Sequence, residues 1–294
     1  MKPSPFSLHL PESLSEALEL LASRDNARVI AGGQSLMPML NLRLAFPDDV
    51  IDLNGIAELA GLREDGDDIV IGAMTRQCDI EFSPLVAERL PLLKEAILNV
   101  GHRQTRNRGT LGGSVCHLDP SAEQPTVAIA MDARLSLRSV RGERVVSMRE
   151  FAVDLMTSCL EPDEILAAVR FTPWPARAGH AFVEYGRRHG DFAIVSAAAL
   201  VLLDAGGAVE RCSLTLGGVA SVPFRVEAAE RLLQGNAPTR EVVREACAQA
   251  ARCEAVGDPT YPAWYRQRLA QRLLERALFK ALERAGVLSQ EHTS

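Results

Sequence analysis

The sequence has 294 residues, of which 47% are hydrophobic and 24% charged, a composition typical of ordinary globular proteins and a length sufficient for two domains. The net charge of −6 argues against nucleic acid as a partner, since there is no basic excess to neutralise phosphates. No apolar stretch reaches the length of a membrane span, and the N-terminus lacks the apolar core of a signal peptide, so we expect no membrane span and a cytoplasmic protein.

The first predicted elements form a strand–helix–strand unit. A helix is predicted over 13–24, where Ser13 and Glu16 have the spacing of a capping box. Strands are predicted at 28–31 and 50–53, with a helix at 36–44 between them. Such a connection usually joins a parallel pair of strands.

A glycine pair lies between the first strand and its helix, in the segment Ala31-Gly32-Gly33-Gln34-Ser35-Leu36, which we call the first glycine loop. Adjacent glycines let successive N–H groups converge and let a ligand approach the backbone without meeting a Cβ. Ser35 is placed to cap the helix or to donate to an anion. Many glycine turns bind nothing, so the loop alone leaves both a phosphate cradle and a plain turn open.

The pattern of predicted elements changes after about residue 56. Asp65-Gly66 predicts a hairpin turn, Thr75 is expected to cap a short helix ending at Ile80, and the polar segment 101–109 is expected to be an exposed or ligand-facing loop. The remaining elements predicted here are helices at 83–100, interrupted at Pro91, and 126–131, and strands at 62–64, 69–71, 134–138, 145–146 and 165–171.

Two prolines in residues 172–175 predict a linker, because proline continues neither a helix nor a central strand. Beyond it the sequence predicts three strands, at 181–187, 192–203 and 209–216, with a hairpin turn at 204–207 between the last two, followed by helices at 223–233, 240–253 and 262–285. The last helix carries a series of basic residues, for which a solvated face and a binding surface both stay open.

A second glycine pair occurs in Thr110-Leu111-Gly112-Gly113-Ser114, which we call the second glycine segment. Two hydroxyl-flanked pairs in one domain indicate one diphosphate clamped from both sides, with Asp119 or Glu123 available to accept from a hydroxyl group. The alternative is a tight loop followed by a helix capped at Ser121. Neither segment fits the Rossmann fingerprint or the P-loop.

Cysteine and histidine positions predict no metal site. The six cysteines contain no Cys-x-x-Cys pair, and the six histidines lack metal-ligand spacing. We expect reduced, mostly buried thiols, including Cys116 beside the second glycine segment.

With its ordered motifs the sequence resembles the FAD-binding medium subunit of molybdenum hydroxylases, the xanthine dehydrogenase and carbon monoxide dehydrogenase type of flavoprotein. The resemblance covers nearly the whole chain and rests on both glycine segments and on the motifs at 2–6, 70–75, 162–166 and 187–195.

The resemblance implies an α+β fold in two domains. Residues 1–174 would form an FAD-binding domain of the vanillyl-alcohol-oxidase (PCMH) type, with subdomains at about 1–55 and 56–174. Residues 175–294 would form a smaller C-terminal α+β domain with an antiparallel sheet and helices.

FAD is the cofactor that the resemblance implies. Its diphosphate would contact the first glycine loop and the second glycine segment, Asp119 or Glu123 would lie near the ribose or adenine, and Leu166 near the flavin. Two positions depart from the family pattern: Ser114 stands where asparagine is usual, and His117 where alanine or asparagine is usual.

In such complexes a large subunit carries a molybdenum–pterin centre and a small subunit carries two [2Fe–2S] clusters. The resemblance therefore implies that this chain receives electrons from the small subunit and passes them to an external acceptor, in a heterotrimer expected to dimerise. We nominate no catalytic side chain and no metal ligand. The alternatives are a free-standing flavin oxidoreductase with its own substrate pocket and a non-enzymatic interaction protein on a flavin scaffold.

Three further sets of side chains have more than one interpretation. His189 with Asp191 forms a polar pair or ends a strand turn, and Tyr185 covers a flavin face or belongs to the core. The basic residues His102, Arg103 and Arg106 steer an anionic acceptor or contact the small subunit, or they are simply solvated.

Overall fold

The computed structural model describes residues 2–287, which group into two compact units. Unit 1 comprises the chain up to Ser83 with His102–Leu118 and Asp132–Thr172. Unit 2 comprises Pro84–Gly101, Asp119–Met131 and the chain from Pro173 onward. The domain boundary at residues 174–175 stays a prediction, since the compact units also assign two earlier segments to unit 2.

The strands of the described chain are between two and nine residues long. They are β1 Ser7–His9, β2 Ala27–Ile30, β3 Asp49–Asp52, β4 Leu62–Asp65, β5 Asp68–Gly72, β6 Arg134–Ser139, β7 Gly142–Ser147, β8 Ala152–Asp154, β9 Thr157–Ser158, β10 Ile165–Phe171, β11 Gly179–Tyr185, β12 Val195–Leu203, β13 Val209–Gly217 and β14 Phe224–Arg225.

The α-helices are short except for the last. They are α1 Leu14–Ala22, α2 Leu36–Asn41, α3 Gln77–Phe82, α4 Pro84–Arg89, α5 Pro91–Ile97, α6 Arg103–Arg108, α7 Leu111–His117, α8 Glu123–Ala130, α9 Met148–Phe151, α10 Glu227–Leu233, α11 Arg240–Ala248 and α12 Ala263–Arg284. Among residues 2–287, no helix has the length and apolar character needed to cross a membrane.

A small parallel sheet begins unit 1, in the order β1-β3-β2. Strands β2 and β3 run parallel, with Val29 opposite Ile51, which confirms the strand–helix–strand prediction. The apolar face of α1, including Leu18 and Leu21, packs with Ile51 in one buried cluster. Ser13 caps α1 by accepting from the Glu16 N–H at 3.2 Å.

A five-stranded antiparallel sheet forms the rest of unit 1, in the order β4-β5-β10-β6-β7. The predicted hairpin at Asp65-Gly66 is confirmed, and Gly66 has a φ of +61°, a conformation that suits glycine. β10 occupies the centre of this sheet, as its alternating buried residues Ile165, Val169 and Phe171 require.

Unit 2 is a four-stranded antiparallel sheet, β11-β12-β13-β14, covered by helices on both faces. One face packs against α12 through apolar side chains such as Ala197, Ala199 and Leu214. The opposite face packs against α5 and α8. The predicted hairpin at 204–207 is confirmed, with Gly207 at a φ of +83°.

Two local predictions in unit 1 are wrong. Thr75 does not cap the next helix; its hydroxyl exchanges hydrogen bonds with the backbone of Gly61, and Arg76 occupies the N-cap position without a capping bond. The segment expected to be a loop at 101–109 contains helix α6. A buried ion pair between Arg106 and Glu81 ties this helix to α3, which a single-sequence pattern does not show.

The basic residues of α12 are partly structural. Arg266 donates to the carbonyl oxygens of Ile194 and Gly218 at 2.6 and 2.5 Å, and Lys280 and Arg284 both pair with Glu95. Because these contacts lie inside unit 2, Arg266, Lys280 and Arg284 take part in holding the fold together, although Arg284 is also exposed.

Candidate functional site

The first glycine loop connects β2 to α2 in unit 1. Gly33 has a φ of +72°, a conformation that costs any other L-residue about 1–2 kcal/mol. Ser35 occupies the N-cap position of α2, yet its side chain makes no capping hydrogen bond. The loop therefore leaves a hydroxyl group available for another acceptor or donor.

The loop also presents unused backbone donors. Within residues 2–287, no group accepts a hydrogen bond from the backbone N–H of Gly33, Gln34, Ser35 or Leu36, and the first helical bond to the loop comes from Met37 to the Gly33 carbonyl. Consecutive free N–H groups after a residue in the left-handed region form a concave anion-binding surface. This geometry fits the prediction of a phosphate cradle.

The second glycine segment is built differently, because it begins a helix instead of forming a turn. Gly112 and Gly113 lie in the first turn of helix α7, and Thr110 caps that helix by accepting from the Gly113 N–H at 3.1 Å. The N–H groups of Leu111 and Gly112 donate to the carbonyl oxygens of Thr75 and Ala73 at 3.1 and 2.8 Å.

The Ser114 N–H is also used, since it donates to the Thr110 carbonyl oxygen at 3.2 Å. The N–H groups of Leu111, Gly112, Gly113 and Ser114 are therefore all satisfied within the fold. The Ser114 hydroxyl is left to offer a hydrogen bond there.

The glycines bring the two segments into contact. A Cβ at Gly32 would overlap the Arg108 carbonyl oxygen, and a Cβ at Gly113 would lie 3.5 Å from the Ala31 Cβ. A Cβ at Gly112 would lie 2.5 Å from the Ala73 Cβ. The structure thus confirms that the two segments, 31–36 and 110–114, lie side by side in unit 1.

Two polar residues that the sequence analysis did not single out hold this arrangement. Asn54 donates to the Ala31 carbonyl oxygen at 2.8 Å, and Arg76 donates to the Asn54 side-chain oxygen at 2.6 Å. Arg76 also donates to the Arg108 carbonyl oxygen at 2.5 Å and is paired with Thr110 as an isolated β-bridge. No local motif marks either residue, because the partners are more than 20 positions away in sequence.

The other predicted site residues lie in two places. Leu166 is buried in β10 of unit 1, next to an irregularity in the pairing with β6. Asp119 and Glu123 belong to unit 2, where the Asp119 carboxylate accepts from the Ser121 N–H at 2.9 Å. Burial, together with the charges of Glu184 and Asp119, raises the pKa of Glu123 to about 8. The assignment of all three to the cofactor stays a prediction.

The structure also shows the surroundings of Tyr185 and Cys116. Tyr185 is exposed, and burial raises the pKa of the Cys116 thiol to about 12, as for an inert cysteine. In the part of the chain that the structure describes, no three His, Cys, Asp or Glu residues are grouped so that they could hold a metal ion.

Two family comparisons cover most of the chain. Residues 4–174 match the family described as the FAD binding domain in molybdopterin dehydrogenase, and residues 180–281 match the CO dehydrogenase flavoprotein C-terminal domain. The fold and the two family matches therefore define an FAD-binding oxidoreductase subunit.

Similar proteins align over their full length. The chain is 38% identical to the 6-hydroxypseudooxynicotine dehydrogenase complex subunit alpha of Paenarthrobacter nicotinovorans, over 97% of each chain. It is 37% identical to the carbon monoxide dehydrogenase medium chain of Hydrogenophaga pseudoflava, over 97% of this chain and 100% of that protein.

Solved structures agree with the sequence relatives. A chain in a structure of carbon monoxide dehydrogenase from Hydrogenophaga pseudoflava matches with a TM-score of 0.94 and 39% identity, over 97% of this chain and 99% of that one. A chain of quinoline 2-oxidoreductase from Pseudomonas putida 86 matches with a TM-score of 0.92 and 34% identity, over 97% and 99%. The chain belongs to the family of FAD-binding medium subunits of molybdenum hydroxylases.

Proposed function

We propose that this chain is the electron-transfer subunit of a molybdenum hydroxylase complex. It accepts electrons from the [2Fe–2S] clusters of a small partner subunit and passes them to an external acceptor. The observation that carries the proposal is the set of four consecutive free N–H groups at Gly33–Leu36, packed against the second glycine segment in a chain of this family.

Different residues bind different parts of FAD. The N–H groups of the first glycine loop and the Ser35 hydroxyl bind the diphosphate, while Thr110, Leu111, Gly112, Gly113 and Ser114 flank it from the other side. Because the N–H groups of residues 111–114 are already used, the contact there depends on the Ser114 hydroxyl and on close approach over the glycines. Asp119 or Glu123 serves the ribose or adenine, and Leu166 lies at the flavin.

When bound, FAD supplies the redox chemistry, and the protein supplies binding, orientation and electrostatics. The transfer of single electrons to the flavin requires no acid–base side chain. The partners we propose are the small [2Fe–2S] subunit and the large molybdopterin subunit of a heterotrimer that dimerises, in the cytoplasm. Relatives named as subunits or medium chains of dehydrogenases support this assignment.

The first experiment measures the cofactor. The purified chain should bind one FAD, show flavin absorbance bands and release FAD on denaturation. A colourless protein that does not take up added FAD would contradict the proposal.

The second experiment separates the proposal from a free-standing flavin oxidoreductase. The flavin of the isolated chain should stay oxidised when candidate organic substrates are added, and it should become reduced only after the two partner subunits are restored. Substrate-dependent turnover by the isolated chain would favour the alternative. The proposal further predicts that reduction fails when the small subunit alone is omitted.

A further inference from the structure

One arginine side chain connects the start of the first glycine loop to the end of helix α6. The Arg76 guanidinium donates from Nη2 to the Asn54 side-chain oxygen at 2.6 Å and from Nη1 to the Arg108 carbonyl oxygen at 2.5 Å. Asn54 in turn donates from Nδ2 to the Ala31 carbonyl oxygen at 2.8 Å. Arg76 therefore joins two backbone carbonyl groups, one directly and one through Asn54.

Both carbonyl groups lie next to the free backbone donors of the loop. A Cβ at Gly32 would overlap the Arg108 carbonyl oxygen, so the loop and this carbonyl group are in direct contact. Ala31 and Gly32 immediately precede residues 33–36, whose N–H groups have no acceptor within residues 2–287. A shift of either carbonyl group would therefore change the arrangement of those four N–H groups.

Asn54 is held in place by its own neighbour in the chain. The Asp52 carboxylate, at the end of β3, accepts from the backbone N–H of Asn54 at 2.8 Å and also from Nδ2 of the same residue. The Asn54 side-chain oxygen is left for Arg76. Because Asn54 is fixed to the parallel sheet, it transmits the position of the guanidinium to the Ala31 carbonyl group.

The guanidinium group suits this double contact. It is a planar fork whose two terminal nitrogens point to fixed directions, so it can set the separation of two acceptors that are 54 positions apart in the sequence, Asn54 and Arg108. A lysine ammonium is a single charge on a flexible stem and would not hold both acceptors in one plane. Groups that are ordered before a ligand arrives bind it more tightly, because their ordering does not oppose binding.

The charge of Arg76 is not neutralised by the protein. Both acceptors of its side chain are neutral, and no carboxylate among residues 2–287 pairs with it. Arg106 of the neighbouring helix α6 differs, because Glu81 neutralises it in a buried ion pair. A positive charge one side chain away from four free N–H groups favours an anion there, with a strength that salt reduces.

We propose that Arg76 is a positioning residue for the first glycine loop. Through Asn54 and the Arg108 carbonyl group it fixes the four free N–H groups in the arrangement that binds a diphosphate, and its charge attracts the anion. The inference rests on the proposed function in taking that diphosphate to be part of FAD. Arg76 acts through its neighbours and takes no part in the redox chemistry.

The first test measures the affinity of the full chain for FAD and for inorganic pyrophosphate, together with its free energy of unfolding in urea. Arg76→Lys keeps the charge and loses the fork, and it should weaken both ligands about tenfold. Stability should change little, because the backbone of Arg76 keeps its bridge with Thr110 whatever the side chain. Equal affinities in Arg76→Lys and the wild type, or a loss of stability alone, would overturn the proposal.

The matched control is Arg63→Lys, at an exposed arginine of β4 in the same unit. It should leave both affinities unchanged. A tenfold loss in this variant as well would show that the effect is not specific to Arg76.

A second variant separates charge from position. Arg76→Gln removes the charge, so it should weaken pyrophosphate more than Arg76→Lys does and reduce the dependence of the affinity on salt. Arg76→Lys should keep the salt dependence of the wild type. The same salt dependence in Arg76→Gln and the wild type would contradict the attraction of the anion by Arg76.

Coupling between Arg76 and Asn54 is tested by a double-mutant cycle. Asn54→Ala, at an exposed position, should weaken pyrophosphate about tenfold, and the double variant with Arg76→Lys should lose no more than the weaker-binding single variant. Additive losses would show that the two side chains act separately and would contradict the connection to Ala31.

The geometry of the loop has a readout that needs no ligand. In apoprotein labelled with 15N-glycine, the Gly33 amide resonance, assigned from its absence in Gly33→Ala, should shift in Arg76→Lys and in Asn54→Ala but not in Arg63→Lys. An unmoved Gly33 resonance would contradict the positioning role even where the affinity falls.

Pyrophosphate separates this inference from the proposed function. A wild-type chain that binds pyrophosphate but not FAD would contradict the proposed function, and the variants would still decide the role of Arg76. A wild-type chain that binds neither ligand would contradict both.

Discussion

The two glycine segments have similar sequences but opposite uses of the backbone. In the first glycine loop, where Gly33 has a positive φ, four successive N–H groups have no acceptor within residues 2–287. In the second glycine segment the N–H groups of residues 111–114 donate to the Thr110 side chain and to the carbonyl oxygens of Ala73, Thr75 and Thr110, and the glycines permit close packing. The comparison shows that two similar glycine pairs can differ in which backbone donors they leave free.

The largest expected effect is on packing in the second glycine segment. Gly112→Val would place side-chain atoms where the Cβ and carbonyl oxygen of Ala73 already lie, 2.5 and 2.8 Å from the added Cβ. We expect a loss of about 3 kcal/mol in the free energy of unfolding, because the neighbour is backbone and cannot move away. Urea denaturation of the apoprotein measures it, and a loss below about 1 kcal/mol would show that the packing is looser than described.

The second largest effect is expected at Gly33, where the cost of backbone strain and the loss of cofactor binding can be measured separately. Gly33→Ala should cost about 1–2 kcal/mol of stability, because alanine disfavours a φ of +72°. The change should also weaken FAD binding about tenfold, or about 1.4 kcal/mol, since it distorts the free N–H groups. Denaturation of the apoprotein and FAD titration give the two numbers.

Gly66→Ala is the matched control, with a φ of +61° and open space around the added Cβ. It should lose a similar stability and keep full FAD affinity. Equal loss of FAD affinity in both variants would mean that the first glycine loop acts only through stability.

A smaller effect is expected at the cap of α7. Thr110→Val should cost about 1 kcal/mol in stability, because it removes the acceptor of the Gly113 N–H at 3.1 Å. Thr110→Ser should restore most of that loss. If valine at this position were neutral in urea denaturation, the cap would not be the role of Thr110.

The smallest effect is expected at Ser35, in the first glycine loop. Ser35→Ala should leave the free energy of unfolding of the apoprotein unchanged within a few tenths of a kcal/mol, because Ser35 makes no capping bond. It should weaken FAD binding about threefold, or roughly 0.6 kcal/mol, through a lost hydrogen bond to an anionic group. Destabilisation of the apoprotein as large as that of Thr110→Val would contradict the difference between the two segments.

Local pattern was enough for most elements. The strand β10 was predicted at its observed bounds, and the hairpins at 65–66 and 204–207 follow from their turn residues. The resemblance in ordered motifs also led to the family that the comparisons confirm. These features depend on residues close in sequence, for which periodicity and turn chemistry are direct physical signals.

Local pattern failed where distant groups compete for the same hydrogen bonds. Thr75 has the residue type of a helix cap, but the backbone of Gly61 takes its hydroxyl, and α6 is stabilised by the pair Arg106–Glu81 rather than by its own pattern. Asn54 and Arg76 join the two glycine segments without a motif of their own.

The sequence by itself determined the family, the cofactor class and the two segments that approach each other, because those depend on residue types in order along the chain. Only the tertiary structure decided which backbone donors stay free. The Ala73 and Thr75 carbonyl oxygens reach the second glycine segment, whereas within residues 2–287 no acceptor reaches the N–H groups of residues 33–36 in the first glycine loop. A hydrogen bond forms only over a short distance, so each N–H donates to an acceptor that lies close to it in the folded protein. The spatial neighbours of each N–H therefore determine which glycine pair stays available to an anion.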